Sequence, residues 1–125
     1  MSELKFRARI ISLKQHLYIT GFRYENKYLI RLWFYKDDAV ITCEFSTDDV
    51  ILEQYTDRKD RNGKEIYEGD IFEYYDGYQD LRGIIAFEEG AFCQKDGICL
   101  FNFNKMCKII GNIHENPELS EGDKL

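Results

Sequence analysis

The polar segment at the middle of the chain offers several side-chain oxygens and is the first place to look for chemistry. Asp60, Asn62 and Gly63 take the third, fifth and sixth positions of a calcium-binding EF-hand loop. Arg58 would then stand at the first position and Gly69 at the twelfth, where two carboxylates are required. The segment is therefore not an EF-hand, and the sequence predicts no metal there.

Histidines and cysteines are few and widely spaced. The histidines are His16 and His114, and the cysteines are Cys43, Cys93, Cys99 and Cys107. None of these cysteines forms a C-x-x-C pair, so the spacing does not predict a zinc site. Neither histidine lies in a context that identifies a serine or cysteine nucleophile, and no phosphate-binding or dinucleotide-binding glycine pattern is present. The sequence thus predicts no catalytic residue, no cofactor and a protein that is not an enzyme.

The composition is that of a folded β-rich domain. Aromatic residues make up 15% of the 125 positions, with nine tyrosines and nine phenylalanines, and such rings favour sheets over helices. The net charge of -6 argues against non-specific binding to nucleic acid or to an anionic membrane. Because no apolar leader or long apolar stretch is visible, we expect a cytoplasmic protein with no membrane segment and with reduced, buried thiols.

Two basic clusters remain as local exceptions to the acidic charge. The first contains Lys5, Arg7, Arg9 and Lys14, and the second contains Arg58, Lys59, Arg61 and Lys64. The second cluster is interleaved with Asp57, Asp60 and Glu65, which would weaken any attraction to phosphates. We therefore interpret the first cluster as a solvated strand face and the second as a loop tip.

Alternation and turn residues indicate many short strands. Phe6, Ala8 and Ile10 alternate with polar residues, which predicts a half-buried strand. Residues 28–35 are predicted to form a strand that the pair Asp37-Asp38 joins to residues 39–45 as a hairpin. The polar segment Ser46-Thr47-Asp48-Asp49 is placed to cap a short helical turn.

The middle of the chain carries the densest turn chemistry. Asn62-Gly63 predicts a turn that needs a positive φ angle, and Glu68-Gly69-Asp70 predicts a chain reversal before a strand. We count about eight short strands, which predicts a mainly β fold, a small and partly open β-barrel or sandwich. Residues 1–119 are expected to form a single domain and residues 120–125 a flexible tail.

The same middle segment carries a family resemblance. The residues concerned are Gln54, Tyr55, Thr56, Asp60, Asn62, Gly63, Ile66, Tyr67, Glu68, Gly69, Asp70 and Ile71. Together with residues 5–8, 110–113 and 115–119, this pattern resembles the signature of the YopX family of phage and prophage proteins. The resemblance implies a mainly β fold and a phage origin, and no reaction, so we interpret these signature residues as structural. The chain departs from the pattern where Asp57-Arg58 replaces Gly-Leu, and aspartate tolerates the left-handed conformation that such a turn requires.

These observations favour a phage or prophage accessory protein that acts as a non-enzymatic protein-interaction module. We expect a homo-oligomer, because small β domains have edge strands that association can cover, and a phage or host protein as a further partner. One alternative is a nucleic-acid-associated module that uses a local basic face. Another is an acidic inhibitor that mimics nucleic acid against a host enzyme.

Overall fold

A computed structural model describes residues 4–75, 77–88, 91–94 and 106–120. These residues form ten β-strands and no α-helix, so the predicted mainly β fold is confirmed, with ten strands in place of about eight. The strands are β1 (Phe6–Ile10), β2 (Gln15–Tyr24), β3 (Leu29–Lys36), β4 (Ala39–Ser46), β5 (Val50–Lys59), β6 (Glu65–Tyr67), β7 (Asp70–Tyr75), β8 (Asp80–Glu88), β9 (Ala91–Gln94) and β10 (Lys108–Asn112).

The chain divides into two compact units, Met1–Gln54 and Tyr55–Leu125. All described strand pairs are antiparallel, and no described strand closes a sheet into a barrel. The single domain over residues 1–119 stays a prediction. Of the predicted tail, Ser120 ends a 3₁₀ turn, Pro117–Ser120, and residues 121–125 lie outside the described residues.

In the first unit β1 to β4 form a meander, and β5 pairs with the other side of β1, which gives the strand order β4-β3-β2-β1-β5. The predicted hairpin is confirmed, because Asp37 and Asp38 alone separate β3 from β4 and have φ angles of 51° and 66°. Two consecutive positive φ angles are the mark of the tight turn whose twist matches that of the flanking strands. Ser46 caps the short 3₁₀ turn Thr47–Asp49 as predicted, since its Oγ accepts a hydrogen bond from the Asp48 amide.

One face of this sheet forms the apolar core of the first unit. Ala8 and Ile10 of β1 and Ile30 and Leu32 of β3 are fully or almost fully buried in it. Phe6, Leu17, Phe22, Phe34, Phe45, Val50 and Leu52 pack against this cluster. Because successive side chains of a strand point to opposite faces, the residues between these positions must line the other face of the sheet.

The second unit has its own sheet and core. The end of β5 pairs with β6, and a separate sheet has the order β10-β7-β8-β9. Ile66, Phe72, Ile85, Cys107 and Ile109 form the buried cluster of this unit. Burial, with the negative charge of Asp60 added, raises the pKa of the Cys107 thiol to about 12, so this thiol stays protonated at neutral pH.

Two sequence predictions concern thiols and membranes. The described thiols are Cys107, which is buried, and Cys43, which is half-buried, while the prediction for Cys99 and for the Cys93 side chain lies outside what the structure describes. Over the part of the chain that the structure describes, no helix has the length and apolar character needed to cross a membrane.

Candidate functional site

Asp60, at the centre of the signature, is a buried carboxylate surrounded by backbone amides. Its Oδ1 accepts hydrogen bonds from the amides of Asn62 (2.8 Å) and Lys64 (2.9 Å), and its Oδ2 accepts one from the buried amide of Ile109 (2.9 Å). The Arg61 amide adds a bond to the Cys107 carbonyl at 2.9 Å. The turn therefore fastens itself to the outer edge of β10, and we name residues 60–64 with this edge the Asp60 clasp.

Two other polar signature residues, Thr56 and Asp70, also bond to the backbone through their side chains. Thr56 donates from its hydroxyl to the Ile66 carbonyl at 2.7 Å, and Asp70 accepts from the Tyr67 amide at 2.8 Å. The Gly69 amide donates to Ile85, and the Gly69 carbonyl accepts from Ile113. These bonds join β5 to β6, close the reversal before β7, and connect it to neighbouring strands. They are backbone connections, which is what a structural signature requires.

The apolar signature residues pack the same region. The rings of Tyr55 and Tyr67 lie 5.3 Å apart, and Ile66 and Ile71 are fully buried. Gln54 is half-buried opposite Phe6 in the first unit, and Glu68 is half-buried in the second.

Three signature turns adopt the left-handed conformation. Gly63 and Gly69 have φ angles of 82° and 83°, which confirms both predicted turns, and Asp57 has a φ angle of 65° as expected from its tolerance of that region. Asn62 is exposed at the turn. Within the described ranges, no three histidine, cysteine, aspartate or glutamate side chains come together as a metal site. The carboxylate of Asp60 in particular already accepts three amides.

The two basic clusters differ sharply in exposure. Arg58, Lys59, Arg61 and Lys64 are exposed as expected, but only Arg61 and Lys64 lie in the turn, because Arg58 and Lys59 end strand β5. The expectation of a solvated face for Arg7 and Arg9 is wrong, because these side chains are only 4% and 5% exposed. The physical reason for Arg7 is an opposite charge across the sheet: Glu53 of β5 pairs with it in register.

Arg7, Glu53 and His16 form a buried charged cluster in the first unit. The Nε of Arg7 donates to Glu53 Oε1 at 2.6 Å, and His16 Nε2 lies 2.9 Å from the same oxygen. Burial by itself raises the pKa of the Glu53 carboxyl, but the hydrogen bonds and charges of His16 and Arg7 outweigh burial and hold that pKa below its ordinary value. Perturbed carboxylates are found in active sites, yet this one is enclosed by its ion pairs and 3% exposed, so a substrate has no access to it.

The exposed part of the same sheet face carries an aromatic patch. Tyr18 of β2 and Tyr35 of β3 each adjoin the paired residues Ile19 and Phe34, which places both on the sheet face opposite that pair, and Tyr35 pairs directly with Val40 of β4. These three side chains are 60%, 65% and 54% exposed.

Trp33 lies two residues before Tyr35 on the same face of β3. It pairs with Gly21 of β2, which has no side chain to cover the ring. The Arg23 guanidinium sits 5.7 Å from the ring centre of Trp33. Tyr18, Trp33, Tyr35 and Val40 are here named the aromatic patch. Large amphipathic rings of this kind are enriched at the centres of protein interfaces.

The aromatic patch ends at an open strand edge. β4 is the first strand of its sheet order and is hydrogen-bonded only to β3 among the described strands. It is eight residues long, and its one charged side chain is Glu44. Natural sheets usually protect such an edge with lysine, proline, a bulge or a covering loop, and β4 has none of these among the residues described.

Sequence reasoning found the signature but missed the buried charged cluster and the aromatic patch. Tyr18, Trp33 and Tyr35 alternate with apolar residues in the sequence, but nothing in that alternation tells which face of the strand is covered. The acidic partner of Arg7 lies 46 residues away, so no local pattern connects the two.

The fold and these sites define the class: an antiparallel, mainly β protein in which buried polar signature residues bond to the protein's own backbone. The YopX protein family model matches residues 5–121, and the chain belongs to that family. Comparison with curated protein sequences gives no match.

Solved structures with the same fold include two bacterial proteins. Protein EF1440 from Enterococcus faecalis is similar at a TM-score of 0.69 and 27% identity, over 97% of this chain and all of that one. Protein yopX from Bacillus subtilis is similar at a TM-score of 0.64 and 20% identity, over 96% of this chain and 98% of that one. The second likeness shows the fold alone.

Proposed function

We propose that this chain is a non-enzymatic protein-interaction module that serves a phage or prophage as an accessory protein. The observation that carries the proposal is the aromatic patch, in which Tyr18, Tyr35 and Val40 are mostly exposed on one sheet face and Tyr35 pairs directly with Val40. Soluble monomers rarely leave tyrosine, tryptophan and valine grouped on a solvent-facing sheet surface without a use for them. The phage setting rests on the family resemblance.

The groups that could perform catalysis support the non-enzymatic part of the proposal. Glu53 is buried against Arg7 and His16, Asp60 is occupied by three amides, and burial keeps the Cys107 thiol protonated. Each of these groups has a structural task and lacks access to solvent. A general acid, base or nucleophile must reach its substrate within hydrogen-bond distance.

The charge distribution near the patch favours a protein partner over nucleic acid. Arg31 donates to Glu25 at 2.9 Å and to Glu44 at 2.7 Å, and Arg23 donates to Glu25 at 2.8 Å. These arginines are neutralised by carboxylates on their own sheet, which leaves few cations to attract phosphates. Hydrogen bonds from Arg23 and Arg31 also hold the pKa of Glu25 below its ordinary value, so the carboxylate keeps its charge in mild acid.

The test is capture of proteins from a bacterial host lysate with the purified chain and with two variants, Tyr18→Ser and Tyr35→Ser. A specific partner should be retained by the wild type and lost, by roughly tenfold or more in affinity, from both variants. The matched control is Tyr78→Ser, which removes a tyrosine that is 92% exposed in the second unit. A partner that binds both patch variants with the wild-type affinity would refute the role of the patch.

Binding to duplex DNA is measured in parallel at two salt concentrations. A nucleic-acid module would bind with an affinity that falls steeply with salt, because Lys and Arg release counterions from phosphates. We expect no such binding. Salt-dependent DNA binding that is lost in Arg58→Ala and Lys59→Ala would overturn the proposal in favour of the nucleic-acid alternative.

A further inference from the structure

The edge of β4 differs from the edge of β10, the end strand of the sheet in the second unit. The outer edge of β10 is covered, because the Asp60 clasp takes the Ile109 amide and the Cys107 carbonyl. The edge of β4 receives no such cover from the described residues, although it is longer and carries few charges. A bare edge of this kind is a template for pairing with another strand.

The tight hairpin determines which β4 residues offer their backbone groups outward. In a two-residue turn the flanking residues, Lys36 and Ala39, exchange hydrogen bonds with each other. Hydrogen-bonded and non-hydrogen-bonded pairs then alternate along an antiparallel ladder. The N–H and C=O groups that point away from β3 therefore belong to Val40, Thr42, Glu44 and Ser46.

We propose that β4 pairs antiparallel with β4 of a second copy of this chain, about a two-fold axis at Cys43. In this register Thr42 of one copy faces Glu44 of the other, and Val40 faces Ser46. Each of these pairs lies at a hydrogen-bonded position, so about eight main-chain bonds form and every outward group is used. This inference rests on the proposed function. It specifies that a second copy of the chain is the partner at the β4 edge of the aromatic patch.

Side-chain chemistry favours a second copy in this register. On the apolar face Phe45 meets Ile41 of the other copy, and both are half-buried residues that gain cover. A register shifted by two residues in one direction would place Glu44 opposite Glu44, which is destabilising. The proposed register instead places Glu44 opposite neutral Thr42, while each Glu44 keeps its own Arg31 at 2.7 Å. A symmetric interface of this type uses the same patch on both subunits.

The pairing also extends the aromatic patch. Val40 at the end of the patch comes beside Ser46 of the second copy, whose neighbour on β3 is Leu29, an exposed apolar residue. The dimer would therefore place the aromatic patches of both copies on one continuous sheet face.

Two variants at Thr42 test the register through charge. Thr42→Lys places a lysine opposite Glu44 of the other copy twice per dimer, and Thr42→Glu places a second carboxylate there. Cross-strand charge pairs predict a Kd roughly two- to thirtyfold lower for the lysine variant and raised by a similar factor for the glutamate variant. Thr42 is exposed, so both substitutions leave the fold of the monomer intact. Sedimentation at micromolar to millimolar protein measures both constants.

Cysteine cross-linking gives a second, independent readout. Cys43 of each copy lies at a non-hydrogen-bonded pair, where Cα atoms are about 4.5 Å apart and within disulfide range. Mild copper–phenanthroline oxidation should trap a covalent dimer of the wild-type protein, and Cys43→Ser should abolish the trap while sedimentation still shows the dimer.

The outcomes separate this inference from the proposed function. A wild-type protein that stays monomeric at millimolar concentration overturns the β4 pairing. A dimer that both Thr42 variants weaken also overturns it, because like charges would then meet and Thr42 must face Thr42 of the other copy. Either result leaves intact a partner whose capture depends on Tyr18. Conversely, a dimer with the predicted charge response and no Tyr18-dependent partner supports the pairing and contradicts the wider role of the patch.

Discussion

Removing the carboxylate of Asp60 should unfasten the signature turn from β10. The Asp60→Ala change deprives three amides of their acceptor, and the amide of Ile109 is buried, so it cannot turn to water. An unsatisfied buried donor costs about 1–3 kcal/mol, and each of the two amides of Asn62 and Lys64, which solvent can reach, adds about 0.5–1.5 kcal/mol. We expect the free energy of unfolding to fall by roughly 2–6 kcal/mol, a large part of the stability of an ordinary domain.

The assay is urea unfolding followed by circular dichroism, together with hydrogen exchange of the Ile109 amide. Asp60→Asn should lose a large part of the same energy, because an amide group supplies one acceptor oxygen where the carboxylate supplies two. The control is Asp57→Asn, an exposed change at a left-handed position that asparagine tolerates, with an expected effect within about 0.5 kcal/mol. If Asp60→Ala unfolds at the wild-type midpoint and the Ile109 amide keeps its protection, the Asp60 clasp contributes nothing to stability.

Three further predictions concern single side chains. Glu53→Gln should destabilise the first unit by about 3–5 kcal/mol at pH 7, because the buried guanidinium of Arg7 loses the negative charge opposite it. Because the folded pKa of Glu53 lies below the ordinary value of 4.5, its stabilisation is present above that pH and is lost as pH falls through the folded pKa. Unfolding measured from pH 7 to pH 3 should therefore show the two proteins converging in acid, and parallel curves would contradict this. Gly63→Val should cost about 1–2 kcal/mol because its φ angle is 82°, and a wild-type denaturant midpoint would exclude the strain. A Cβ at Gly111 would lie 2.6 Å from Asn116 Oδ1, so Gly111→Ala should cost about 1–3 kcal/mol in the wild type and much less beside Asn116→Ala, as a double-mutant cycle can show.

Turn chemistry was the part of the fold that the sequence predicted best. Asp37-Asp38 forms the predicted hairpin turn at φ angles that aspartate tolerates, Gly63 and Gly69 adopt positive φ angles open to glycine, and strands flank each turn. Such turns are decided by the local backbone, so the residue types carry the necessary information. The family signature added the expectation that its polar residues are structural, which stays a prediction, and the side chains of Asp60 and Thr56 bond to backbone groups.

The buried charges and the open edge could not be predicted because both depend on strand order. Alternation places Arg7 and Arg9 opposite the apolar residues of β1, and the pattern is the same whether that second face meets water or protein. Only the pairing of β1 with β5 brings Glu53 to Arg7. In the same way, the sequence of β4 predicts a strand, but only the order of strands in the sheet shows that β4 lies at its edge.

The Asp60 clasp has a consequence for the order of events during synthesis. Strands β1 to β4 pair with sequence neighbours across short turns, so their contacts close small loops and form early. The Asp60 carboxylate is completed only by an amide 49 residues further along the chain, which a ribosome takes about 3–10 s to add. Until then β7 also lacks its neighbour β10. For those seconds the nascent chain holds a finished meander and a β7–β8 pair whose edge toward β10 is still open, and in that interval a chaperone, or a second nascent copy, would find it.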